Sequence, residues 1–166
     1  MTTLRRQRRS LGVTLLLLVF AVAPGGLAWQ AGHTATTEQI VADHNTGLAI
    51  YGYDPVAYFT DRMPKLGRED LELKHGGVAW RFNSEGNREA FRADPLVYMP
   101  QYGGHDPVAI AGNVARAGHP DFWVIHNDRL FLFYSEQARA QFNRDPGHTA
   151  LQAEVNWPHV SQTLSP

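Results

Sequence analysis

Short apolar runs occur as two pairs along the chain, and each pair has the pattern of a β-hairpin. Residues 71–74 and 78–82 alternate between apolar and polar types, and the glycine pair 76–77 lies between them. Residues 122–134 contain two further apolar runs around a polar triplet. Such runs are typical of half-buried strands, and a short glycine or polar connection is typical of a tight turn. We therefore predict two antiparallel hairpins.

A helix is predicted directly after each hairpin. Ser84 and Ser135 are residue types that cap helix N-termini, and each is followed by a glutamate, whose charge suits the positive end of a helix. The Asp-Pro pairs at 94–95 and 145–146 end these helices, because the residue before a proline disfavours helical torsion angles.

The two hairpin–helix segments are also similar in sequence. Residues 84–95 align with residues 135–146 at an offset of 51, and six of the twelve positions are identical. Average residue usage would give roughly one identity. His75 aligns with His126 at the same offset. This similarity indicates an internal repeat.

A second aligned pair gives the extent of the repeat. Residues 54–57 and 106–109 both read Asp-Pro-Val-Ala, at an offset of 52. We predict a small α+β fold of two hairpin–helix modules, at about residues 54–95 and 106–146. A single hairpin with one helix is barely stable. We therefore expect the two modules to pack with their aromatic faces together around one shared core.

The N-terminus has the pattern of a secretory signal peptide. Four arginines within residues 5–9 precede an apolar run at 11–23, and a small-residue cleavage pattern ends at Ala28. The alternative is an uncleaved membrane anchor, but the run is shorter than the roughly 20 residues that span a bilayer. We predict a signal peptide over residues 1–28 and a periplasmic or secreted protein, with membrane attachment only if the signal is retained.

The remaining chain is predicted to have three parts. Residues 29–46 form a flexible lead-in, residues 47–158 form the domain, and residues 159–166 form a C-terminal tail. Loss of residues 1–28 removes four of the 15 basic residues and none of the 16 acidic residues, which leaves a net charge of −5. This negative charge disfavours nucleic acid as a partner. An unidentified small ligand or an envelope protein is the expected partner.

The chain has no cysteine. This excludes disulfide scaffolds, thiolate metal sites and thiol nucleophiles. The sequence also has no phosphate-binding loop, nucleophile elbow, dinucleotide fingerprint or paired-carboxylate motif. A binding or accessory protein is therefore favoured over an enzyme.

Several of these motifs together resemble the YHS domain family, in particular its exported branch. They are Gly-Tyr-Asp-Pro-Val-Ala-Tyr-Phe at 52–59, Trp-x-Phe-x-Ser-x-x-Asn-Arg-x-x-Phe at 80–91, Asp-Pro-x-x-Tyr-x-Pro-Gln-Tyr-Gly-Gly at 94–104 and Ala-x-x-Asn-Trp-Pro at 153–158. The resemblance covers roughly residues 47–158, and it implies a YHS-like module, a family whose short members hold a metal ion through cysteines. Because the chain departs from the family at those positions, we expect a non-enzymatic binding or accessory protein without thiol ligands.

The chain departs from the family wherever the resemblance implies a sulfur or selenium ligand. The positions concerned hold Ala57, Ala109, Asn83, Asn87, Tyr134, Ala138 and Asp106. None of these side chains supplies a soft thiolate.

Two sets of candidate site residues follow. A ligand-binding site is predicted around the glycine-bearing segments, and its members are Tyr53, Asp54, Tyr58, Tyr102, His105 and Asp106. The alternative is that these residues form an ordinary turn or pack in the core. If the two modules pack symmetrically, the aligned histidines approach each other and form a copper or zinc site; its members are His75, His126, His105 and Asp106. The alternative for His75 and His126 is an exposed position at each hairpin turn.

Overall fold

The computed structural model describes residues 38–165, which form a small α+β domain with two two-stranded antiparallel sheets and six α-helices. This confirms the predicted α+β class. The predicted signal peptide lies outside the described residues. In order, the elements are α1 (Ala57–Thr60), β1 (Arg68–His75), β2 (Val78–Phe82), α2 (Glu85–Ala93), α3 (Pro95–Tyr98), α4 (Pro107–Ala111), β3 (His119–His126), β4 (Arg129–Phe133), α5 (Glu136–Phe142) and α6 (Pro146–Ser161).

Both hairpins have left-handed turn residues and the same irregularity. Gly76 and Gly77 connect β1 to β2 with φ angles of 62° and 83°. Asn127 and Asp128 connect β3 to β4 with φ angles of 50° and 57°. Regular pairing is interrupted near the start of β1 and of β3, at equivalent places. β1 begins at Arg68 and β3 begins at His119, so both strands start earlier than the predicted positions 71 and 122.

The helices after the hairpins are capped as predicted. The Ser84 side chain accepts a hydrogen bond from the Asn87 N–H at 3.1 Å, and the Ser135 side chain accepts one from the Ala138 N–H at 3.3 Å. Asp94 ends α2 in a non-helical conformation. Pro95 and Pro146 begin the next helices, α3 and α6, because proline suits the first position of a helix.

We call residues 50–94 the first unit and residues 101–145 the second unit, because their local structure corresponds at an offset of 51 or 52 residues. Tyr51 and Tyr102 both adopt the left-handed conformation, with φ angles of 57° and 55°. The Gly67 N–H donates to the Gly52 carbonyl and the Gly118 N–H donates to the Gly104 carbonyl, both at 2.9 Å. This correspondence extends upstream of the predicted start at residue 54.

The buried side chains form two clusters rather than one shared core. The first cluster contains Trp80, Phe82 and Phe91 together with Leu130 and Leu132. The second cluster is formed mainly by the second unit and α6; its members are Tyr102, Ile110, Phe131, Phe133, Phe142, Ala153 and Val160.

Strand β4 explains why there are two clusters. Successive side chains of a strand point to opposite faces, so Leu130 and Leu132 pack against the first unit while Phe131 and Phe133 pack against α5 and α6. The expectation of one shared core is therefore wrong. The side of the second hairpin that carries Leu130 and Leu132 packs against the first cluster, and the aromatic contact there is between the Tyr58 and Trp123 rings, which lie 5.3 Å apart.

Two segments that were predicted to lie outside the domain, the lead-in and the C-terminal tail, belong in part to the folded structure. Residues 38–46 belong to the predicted lead-in, yet Val41 is 1% exposed and its N–H donates to the Gly103 carbonyl at 2.8 Å. Helix α6 continues through Pro158 to Ser161, into the predicted tail. Within residues 38–165, no helix combines the length and the apolar character that a membrane crossing requires.

Candidate functional site

A buried carboxylate lies at the start of each unit, immediately before a short helix. Asp54 is fully buried. Its Oδ1 atom accepts hydrogen bonds from the N–H groups of Val56 and Ala57, at 2.8 and 3.3 Å. Its Oδ2 atom accepts one from the Asn83 N–H at 2.8 Å and one from the Asn87 side-chain amide at 2.7 Å. The carboxylate thus joins α1 to the end of β2 and to α2.

Asp106 occupies the corresponding position in the second unit and is 2% exposed. Its Oδ1 atom accepts a hydrogen bond from the Val108 N–H at 2.8 Å, and its Oδ2 atom accepts one from the Tyr134 N–H at 3.1 Å. Burial raises the pKa of this carboxyl above its ordinary value, while the backbone N–H groups of Tyr134, Val108 and Ala109 and the charge of Arg116 act in the opposite direction.

The two carboxylates differ in one partner. Ala138 lies at the position equivalent to Asn87, since each is the third residue after the capping serine. An alanine side chain has no donor, so Asp106 lacks the amide contact that Asp54 receives. Among residues 38–165, Asp106 accepts no hydrogen bond from a side chain.

A cavity of about 410 Å³ lies beside Asp106, between α4 and α5. Its volume lies within the range of roughly 300–1,000 Å³ typical of small-molecule pockets. The lining includes Asp106, Ala138 and Gln141, and its apolar part includes Val108.

Arg116 and Tyr134 form the charged and aromatic part of the lining. The Arg116 guanidinium lies 4.5 Å from the centroid of the Tyr134 ring. This geometry is a cation–π interaction. A positive charge is therefore held at the cavity that contains the buried Asp106 carboxyl.

His105 precedes Asp106 but packs into the core. It is fully buried, its Nε2 atom lies 2.8 Å from the Glu38 carbonyl oxygen, and its ring lies 5.7 Å from that of Trp157. Its Nδ1 atom is buried without a hydrogen bond of normal geometry. Burial lowers the pKa of His105 below its ordinary value, opposed by the carbonyl groups of Glu38 and Arg116.

The three candidate tyrosines lie mainly in core positions. Tyr58 is fully buried and its hydroxyl donates to the Pro120 carbonyl at 3.1 Å. Tyr102 is 7% exposed and its hydroxyl donates to the Ala150 carbonyl at 3.0 Å. Burial raises the pKa of Tyr102 to about 12. Tyr53 is half-buried, and none of the three lines the cavity beside Asp106.

The histidines of the predicted metal site pack against separate phenylalanines. The His75 ring lies 5.9 Å from that of Phe91, and the His126 ring lies 6.1 Å from that of Phe142. Within residues 38–165, no group of three or more His, Asp or Glu side chains is arranged to hold one ion. The predicted juxtaposition of these histidines with His105 and Asp106 is therefore not formed.

The structure thus brings only Asp106 of the predicted set to the cavity and adds residues that sequence reasoning missed. The added residues with polar or aromatic groups are Arg116, Tyr134, Gln137 and Gln141. The alignment of the two units contained one usable signal, because Asn87 is replaced by Ala138 within an otherwise similar helix start.

Comparison of the chain with family models, curated proteins and solved structures finds no match in any of the three. The resemblance to the YHS family therefore stays a hypothesis that depends on the motifs themselves.

Proposed function

We propose that the chain is an exported, YHS-like binding protein that holds a small polar ligand beside Asp106 and carries out no catalysis. The observation that carries this proposal is a buried carboxyl at the wall of a cavity of about 410 Å³. The equivalent carboxyl group of Asp54 accepts a further hydrogen bond from the Asn87 side chain. Asp106 has no such side-chain partner among the described residues.

The cost of burying a charged group supports a role for Asp106 in binding. A buried carboxylate is expensive unless hydrogen bonds compensate for its lost water. Asp54 receives four hydrogen bonds, one of them from the Asn87 side chain, whereas Asp106 receives two, from the Val108 and Tyr134 N–H groups, with a weaker contribution from the Ala109 N–H and none from a side chain among residues 38–165. A ligand with a hydrogen-bond donor would restore part of the missing compensation.

The composition of the cavity supports binding rather than catalysis. Its ionisable lining residues are Asp106, Arg116 and Tyr134, with neither a histidine nor a second carboxyl among the described residues that line it. General acid–base chemistry commonly uses two titratable groups in different environments. The apolar and amide side chains of the lining suit a small organic molecule.

A fragment screen tests this proposal. Ligand-observed NMR with the wild-type chain identifies binders, and ¹H–¹⁵N spectra map them through the amides of Tyr134 and Ala138. We expect fragments to shift these amides, and we expect Ala138→Leu to abolish binding, because the larger side chain occupies the part of the cavity that Ala138 lines together with Asp106. The control is Ala140→Leu, on the exposed side of α5. Absence of any fragment at these amides would refute the proposal.

Export is tested separately by expressing the full chain in a bacterial host. We expect the product in the periplasmic fraction to lack residues 1–28, as measured by its intact mass. Retention of the full-length chain in the cytoplasm would contradict the predicted signal.

A further inference from the structure

The first unit contains a built-in example of what the second unit lacks. The Asn87 Nδ2 atom lies 2.7 Å from the Asp54 Oδ2 atom, and this carboxyl oxygen also accepts the Asn83 N–H. In the second unit, Asp106 Oδ2 accepts the equivalent backbone N–H from Tyr134. The acceptor site that a carboxamide occupies in the first unit therefore receives no side chain in the second.

The space for such a group lies at the same place. Ala138, which replaces Asn87, lines the cavity together with Asp106. The cavity volume of about 410 Å³ exceeds what a single amide requires, so it accommodates a molecule with an additional apolar part. Val108, Ala109 and Val114 supply apolar surface in the lining.

The charges of the cavity discriminate between classes of ligand. A carboxylate ligand has no N–H group for Asp106 and brings a second negative charge towards it. An ammonium ligand suits Asp106 but brings a positive charge towards Arg116, which also lines the cavity. A neutral carboxamide offers N–H donors to Asp106 and a carbonyl acceptor to Arg116 or Gln141, so it fits both ends.

We infer that the cavity beside Asp106 binds a small molecule through a primary carboxamide, whose N–H group takes the place of the Asn87 side chain. This inference rests on the proposed binding function and specifies the chemical class of the ligand. The rest of the ligand lies along the apolar part of the lining.

The test compares three probes of equal length: butyramide, butyrate and n-butylammonium. Each is titrated into the wild-type chain, and the amide signals of Tyr134 and Ala138 are followed by NMR. A hydrogen bond to a charged group contributes about 1.5–3 kcal/mol, which corresponds to an affinity ratio of at least about tenfold. We expect butyramide to bind at least about tenfold more tightly than butyrate, which has no N–H donor for Asp106. We also expect it to bind more tightly than n-butylammonium, whose charge is repelled by Arg116.

A substitution that supplies the amide from the protein provides the second arm. In Ala138→Asn the new side chain lies where Asn87 lies in the first unit, so we expect butyramide affinity to fall at least about tenfold. The matched control, Ala140→Asn, adds the same amide to the exposed side of α5 and should leave affinity unchanged. Unchanged affinity in Ala138→Asn would overturn the inference.

The reciprocal substitution creates the site in the first unit. Asn87→Ala removes the amide from Asp54, so acetamide should raise the melting temperature of this variant more than that of the wild type, whereas acetate should not. Equal effects of acetamide and acetate would count against the inference. If Asn87→Ala does not fold, the butyramide affinities of Ala138→Asn and Ala140→Asn alone test the carboxamide assignment.

The outcomes separate the inference from the proposed function. If a charged probe binds as tightly as butyramide and Ala138→Leu abolishes both, the cavity is a ligand site but the carboxamide assignment is wrong. If no probe and no screened fragment shifts Tyr134 or Ala138, both the assignment and the proposed function are wrong.

Discussion

Replacing the central phenylalanine of each unit tests the arrangement of two clusters. Phe91 is fully buried, and its ring lies 5.1 Å from that of Trp80 and 5.2 Å from that of Phe82. Phe142 is also fully buried, and its ring lies 5.2 Å from that of Phe131 and 5.1 Å from that of Phe133. The two side chains therefore have corresponding surroundings with no aromatic neighbour in common.

Truncation of either phenylalanine should be costly. Phe→Ala in a core typically lowers the free energy of unfolding by about 3–5 kcal/mol, and aromatic pairs contribute about 0.5–1.5 kcal/mol beyond buried area. With close aromatic neighbours at each site, we expect Phe91→Ala and Phe142→Ala to cost about 4 kcal/mol each. Most domains are stable by only about 5–15 kcal/mol, so this is a large fraction of the total.

Urea denaturation followed by circular dichroism measures these costs. Leu96→Ala serves as the control, because Leu96 is 78% exposed and should change stability by less than about 0.5 kcal/mol. A cost below about 1.5 kcal/mol at either phenylalanine would refute its central position in the core.

A double substitution distinguishes two clusters from one shared core. Phe91→Leu and Phe142→Leu are milder changes, each expected to cost about 1 kcal/mol, so the double variant stays folded. Independent sites add to within about 0.3–0.5 kcal/mol. We therefore expect additive costs. A coupling energy above about 1 kcal/mol would indicate that the two side chains share one core.

Three further predictions concern close packing, capping and pH. A Cβ atom at Gly118 would lie 2.6 Å from the Leu132 Cβ atom, so Gly118→Ala should lower the free energy of unfolding by about 1–3 kcal/mol. The control is Gly147→Ala, because a Cβ atom there would have no atom within 4 Å. Equal melting temperatures of the two variants would contradict this prediction. Ser135→Ala removes the cap of α5 and should cost about 1 kcal/mol in urea denaturation; no change would mean that the cap is dispensable. Burial lowers the pKa of His105 below 6.5 in the folded chain. The unfolded chain therefore binds a proton at this side chain at a higher pH than the folded chain does. The contribution of His105 to the free energy of unfolding is thus complete above pH 6.5 and is lost as the pH falls through the folded pKa. The melting temperature should therefore drop between pH 7.5 and 5.5, and His105→Gln should reduce that drop; an unchanged drop would assign it to other groups.

The elements that could be predicted from the sequence are those determined by short-range physics. Serine caps, Asp-Pro helix ends and alternating strands depend on torsion preferences and on hydrogen bonds within about four residues. Ser84 and Ser135 therefore cap helices where they were expected to. Helix α6 was missed because Pro158 lies inside it, and packing against the second cluster outweighs the local cost of that proline.

The candidate site was predicted only in part, because its chemistry depends on groups distant in sequence. Asp106 was singled out from its motif, but the cavity beside it also needs Arg116, Tyr134 and Gln141 from separate segments. His105 was expected at the same site and lies in the core instead, where the Glu38 carbonyl contacts its ring.

The α+β class, the two hairpins and the capped helix after each were predictable from the sequence, because these features depend on local residue order. The face of β4 that meets the first unit, and with it the number of cores, depends on how distant segments pack. The same holds for the two buried carboxyl groups: Asp54 accepts a hydrogen bond from the Asn87 side chain, whereas the equivalent Asp106 lines a cavity. Burial and cavity shape are sums over contacts between distant segments, and no local pattern contains those sums.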